Sequence, residues 1–142
     1  MKYICDAPDR KTWFRIETEA EAEHESALMD QAVAKHFRRA REAAVQSYRP
    51  GSELYIEQNI GLERHVQTVM PLFLTLREGD GTALVTAMLP PGGRHDAAFR
   101  TIIVGPRNAD PYPTQERAIQ VLAARFSLIL DREHCFPYRR AA

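Results

Sequence analysis

Little in this chain can hold a fold together through sulfur or metal. Its 142 residues include only two cysteines, Cys5 and Cys135, near opposite ends. That is too few for a disulfide framework and too few for a four-ligand zinc site without histidines. The five histidines, His24, His36, His65, His95 and His134, stand singly, with no HExxH, no paired CxxC and no two at an i, i+4 spacing. No metal and no cofactor is therefore expected, the one alternative being a site assembled from His95, Asp96, Glu133 and His134. There is no run of about 18 apolar residues, and the opening MKYICDAPDR lacks an apolar signal core, so neither a membrane span nor export is expected. The expectation is a cytoplasmic chain with reduced thiols.

Charge of one sign is also missing. Nineteen basic residues balance nineteen acidic ones, which removes any general pull toward nucleic acid or an anionic membrane. Walker A, GxGxxG and GxSxG motifs are absent, as are internal repeats and low-complexity linkers; a single domain over residues 1–142 is expected.

What is present is a hairpin that carries its own register. In Leu72 to Leu89, LFLTLREGDGTALVTAML, placing Asp80-Gly81 as a two-residue loop sets Leu72, Leu74 and Leu76 opposite Leu89, Ala87 and Val85. Phe73, Thr75 and Arg77 then fall opposite Met88, Thr86 and Leu84. Asp-Gly tolerates the positive φ of a type I′ turn, and a slip of one residue would turn the leucines outward.

Around this centre the pattern predicts short strands at Lys2 to Cys5 and Thr12 to Glu17, joined through Ala7-Pro8-Asp9-Arg10. Phe14 and Ile16 point inward and Trp13 sits at a rim or an interface. Thr18 opens a helix with a capping box to Glu21, and Met29, Val33, Phe37, Ala40, Ala44 and Tyr48 give it one apolar stripe as far as Arg49-Pro50-Gly51. In Leu54 to Met70 the even positions Leu54, Ile56, Ile60, Leu62, Val66 and Met70 are apolar. Period two predicts strands with a break near Gln58 to Gly61, against the alternative of a helix capped by Ser52. Ala98 to Val104 and Ser127 to Leu130 read as further strands, and residues 114 to 126 as a helix. The fold class expected is α+β, an antiparallel sheet of five to seven strands with a long N-terminal-half helix and a C-terminal helix on one face.

Chemistry is sparse. Cys135 lies in a run with Asp131, Glu133 and His134, and a thiolate beside an imidazolium makes a nucleophile. Adjacent residues on an extended strand point to opposite faces, so Cys135 would need His65 or His95, and Cys5 another histidine brought near by folding. Catalytic candidates are thus Cys135, His134, His95 and Asp131. Two Pro/Gly loops, 90 to 96 and 105 to 113, flank one strand and offer Arg94, His95, Arg107 and Tyr112 as binding residues. The Gly92-Gly93-Arg94 turn precedes a strand and lacks the helix that would make it a phosphate cradle. Lys35, His36, Arg38, Arg39 and Arg41 form a basic helix face, read as solvated because no aromatic is interleaved to stack a base. Helices on one face leave Phe73, Leu84 and Met88 in need of cover. The sequence therefore favours a non-enzymatic interaction or small-ligand-binding module acting as a homo-oligomer through those three residues. The alternatives are a thiol or hydrolytic enzyme using Cys135 or Cys5 with a histidine, and a weak nucleic-acid binder.

Overall fold

The computed structural model describes residues 1–51 and 55–137. Its frame is a five-stranded antiparallel meander, each strand paired with the next in chain order. The strands are β1 (Lys2–Ala7), β2 (Lys11–Arg15), β3 (Leu72–Arg77), β4 (Ala83–Leu89) and β5 (Ile102–Val104). Four helices accompany them: α1 (Glu19–Met29), α2 (Val33–Ser47), α3 (Tyr55–Val69) and α4 (Tyr112–Phe126). The chain is an α+β protein built on an antiparallel sheet, and none of its described helices is long and apolar enough to cross a membrane.

The hairpin takes the expected register: Leu72 pairs with Leu89, Phe73 with Met88, Leu74 with Ala87, Thr75 with Thr86 and Leu76 with Val85. At its turn end Arg77 pairs with Ala83, not Leu84, and the register shifts there. The two-residue turn is replaced by a longer connection. The Glu78 amide donates to the Thr82 carbonyl at 2.9 Å, the Asp80 carboxylate accepts from the Thr82 amide, and Gly81 takes φ +91. The bulged residue is Leu84, which packs with the leucine face. Aspartate and glycine still make the turn, but the aspartate does so through its side chain.

The helices divide between the two sheet faces. On one, Leu72, Leu74, Leu76, Val85, Ala87 and Leu89 meet Ala118, Ile119 and Leu122 of α4, with Trp13, Leu130 and Cys135. On the other, Phe73 and Ile16 meet Ala22 of α1, Val33, Phe37 and Ala44 of α2 and Val66 of α3. Trp13 is accordingly at no rim: it is 0% exposed and its indole N–H donates to the Ala118 carbonyl at 2.9 Å, fastening α4 to β2. An apolar ring of this size, buried with its N–H satisfied, contributes more than it would at a rim.

The long N-terminal helix is two helices. Thr18 and Glu21 form the capping box, but Asp30 adopts a left-handed conformation with φ 49 and ends α1. Ser26 Oγ then accepts from the Ala34 amide at 2.8 Å, so α1 caps the start of α2, whose own N-cap, Ala32, has no side chain to do it. The segment read as strands is α3. Val66 and Met70 are buried and Leu62 partly so, an i, i+4, i+8 series, while Ile60 and Val69 are exposed. Its proposed cap Ser52, and Leu54, lie outside the described residues, as do Tyr138 to Arg140 of the tail. The strand expected over Ala98 to Val104 is only Ile102–Val104, because Asp96 turns the chain by accepting from the Ala98 amide. Ser127 to Leu130 is not a strand: Ser127 caps α4 in the left-handed region. Instead Phe136 bridges β5, its amide donating to Thr101 and its carbonyl accepting from Ile103.

Candidate functional site

On the Phe73 face the helices stop short of β5. Between the α1–α2 junction, β4, β5 and the Phe136 segment lies a cleft of about 380 Å³, within the usual size of a small-molecule site. Phe73, Met88, Val33, Ile102, Val104 and Phe136 give it apolar walls, and Gln31, His36, Thr86, Arg100 and Asn108 its polar groups. The fold explains their convergence. The left-handed Asp30 swings Gln31 and Ala32 over the sheet edge. Alternation along β4 brings Thr86 and Met88 to the same side, and three-residue β5 leaves Arg100 just before the sheet. Phe37 packs edge-on to Phe73, with ring centroids 5.2 Å apart, which fixes the phenyl ring of the inner wall.

The walls are held by polar links. Gln31 Nε2 donates to the Gly105 carbonyl at 2.5 Å, tying the helix junction to the loop after β5. Its Oε1 is buried without a partner among the described residues. The Arg100 guanidinium lies over the Phe136 ring, 4.5 Å from its centroid. Behind Thr86 is a buried charge network: the threonine hydroxyl donates to Glu25 Oε2 at 2.6 Å, and Arg77 donates to Glu25 Oε1 at 2.5 Å and to Thr75 Oγ1 at 3.0 Å. Glu25 is 0% exposed, so its charge reaches the cleft already neutralised by Arg77.

The site residues singled out in the sequence fall elsewhere, with two exceptions. Met88 lines the cleft, half-buried, and Phe73 forms its wall; Phe73 is 2% exposed beneath α2, so it is no open face for a second copy. Arg94, His95 and Arg107 are exposed and do not line the cleft, though Asn108, next to Arg107, does. Tyr112 is buried on the opposite side of the sheet, its hydroxyl donating to the Leu130 carbonyl at 2.7 Å. It borders a second groove with Asp131, Arg132 and Glu133. Cys135 is 1% exposed in the α4-side core and hydrogen-bonded with Tyr112, whose ionisation is suppressed first by burial and then by that thiol. His134 is exposed and its Nδ1 is 2.5 Å from Asp131 Oδ1. His65 meets Ser47 at 2.8 Å. Burial, and then the carboxylate of Asp6, push the Cys5 thiol above its ordinary value, although Arg125 works the other way. Cys135 is thus a buried sulfur and Cys5 one whose thiolate is disfavoured. No cluster of metal-ligating side chains forms among the described residues.

Gln31, Thr86, Arg100 and Asn108 were not distinguishable in the sequence, and His36 appeared only as part of a basic helix face. No short-range spacing connects them; the junction of two helices and the edge of a sheet do. Compared with protein-family models, curated proteins and solved structures, the chain matches none.

Proposed function

We propose that this protein is a small-ligand-binding module whose site is the cleft between α2, β4 and β5. The observation that carries the reading is a cleft of about 380 Å³ whose apolar walls are interrupted by a few polar side chains. That combination lets a ligand bury its apolar body while the polar groups fix its orientation. The groove beside Tyr112 is larger, about 680 Å³, but Glu116, Asp131, Arg132 and Glu133 crowd it with charge, and its apolar Ile129 is 65% exposed. The cleft at Met88 offers about as much apolar wall with less polar surface, in a smaller volume.

The test uses N-phenylnaphthylamine, a neutral dye that brightens in apolar surroundings. It is expected to bind one site saturably, and Met88→Trp, which fills the cleft, is expected to weaken it at least tenfold. Ala32→Trp, at the exposed edge, blocks entry without touching the core and is expected to act in the same direction. Absence of saturable binding, or equal binding by both filled variants with their thermal unfolding intact, overturns the reading.

A further inference from the structure

The composition of the lining goes further than its size. Although acids and bases are equal in number over the chain, no aspartate or glutamate lines the cleft, while Arg100 and His36 do. Arg38, Arg41, Arg77 and Arg132 each pair with a carboxylate. Arg100 and His36 pair with none among the described residues. The carboxylate behind Thr86, that of Glu25, is already paired with Arg77 and Thr86. Resting on the reading of the cleft as a ligand site, we infer that the ligand is a small amphipathic acid. Its apolar body lies against Phe73, Met88 and Val104, and its anionic head is held by Arg100 and His36.

The geometry of Arg100 supports this more than its charge does. Stacking over Phe136 occupies the face of the guanidinium and leaves its in-plane N–H groups to a partner, and a planar fork of donors matches a carboxylate. Part of the ordering cost is met before the ligand arrives, since the ring already limits the arginine's rotamers. His36 offers an N–H whatever its protonation state. Both side chains belong to exposed residues, so the head group stays near water and the gain over a neutral ligand is moderate, roughly three- to tenfold.

The experiment displaces bound N-phenylnaphthylamine with octanoate and with octanol, at fixed pH and salt. Octanoate is expected to displace the dye at a several-fold lower concentration than octanol. Arg100→Gln is expected to bring that ratio to one or below, and Arg100→Lys, which keeps the charge but loses the fork, to retain part of it, each ratio being read against that variant's own dye affinity. If the dye binds and octanol competes as well as octanoate, the anion preference is wrong while the cleft stands. An unchanged ratio in Arg100→Gln removes Arg100 from the site. If no dye binds at all, the reading beneath the inference fails with it.

Discussion

Glu25 and Arg77 are the residues that connect cleft and core. Each is buried, and each holds the other's charge through a 2.5 Å contact while the hydroxyls of Thr86 and Thr75 take up remaining bonds. Such a pair is an uneven stabiliser. Removing one partner strands a charge in the interior, whereas replacing both with apolar groups of similar volume is close to neutral. Glu25→Ala is therefore expected to lower unfolding free energy by about 3–5 kcal/mol, read by denaturant titration. The double variant Glu25→Leu, Arg77→Met is expected to recover most of that loss. A Glu25→Ala loss under about 1 kcal/mol would show that water reaches the pair and that the wall behind Thr86 is not dry.

Among the secondary-structure elements, the N-terminus of α1 was legible residue by residue. Thr18 Oγ1 accepts from the Glu21 amide at 3.1 Å, and Glu21 accepts from the amides of Thr18 and Glu17 and from the chain's N-terminal ammonium. Partial burial pushes the Glu21 carboxyl up, but the bonds to that ammonium and to those two amides outweigh it and hold it below the ordinary range. A carboxyl whose pKa falls on folding contributes stability above its unfolded-state value and loses it as pH falls through the folded one. Stability is thus expected to decline as pH drops below about 4.3, with Glu21→Gln flattening that part of a melting-temperature profile. Thr18→Ala is expected to cost about 1 kcal/mol at neutral pH. The α3 segment was not legible in this way, for a definable reason. Leu62, Val66 and Met70 recur every four residues, and a period of four is also a multiple of two, so they satisfy helix and strand alike. Ile60, exposed on the helix, completed the false alternation. The break between α1 and α2 escaped for a different reason: the apolar stripe runs unbroken through Met29 and Val33, and the left-handed Asp30 leaves that spacing intact.

The error at α3 propagated to the whole molecule. With that segment read as strands, two helices remained, and one face of the sheet needed a second copy to cover it. The structure covers that face with α1, α2 and α3, and Phe73 is sealed under Phe37. Phe73→Ala is consequently expected to act on stability, costing about 3–5 kcal/mol, with the sedimentation behaviour of the folded protein unchanged. The fold class and the register of the central hairpin were legible because they follow from local alternation and turn chemistry. The cleft was not, because Gln31, Thr86, Met88, Arg100 and Val104 are joined only by the path of the chain around the sheet. The central claim is that this cleft, bounded by α2, β4 and β5, takes up a small acid. Amide chemical-shift mapping on addition of octanoate tests it most directly. The account predicts saturable shifts concentrated at residues 31–36, 86–88 and 100–104. Shifts concentrated instead at residues 128–133, or none at millimolar octanoate, would contradict it.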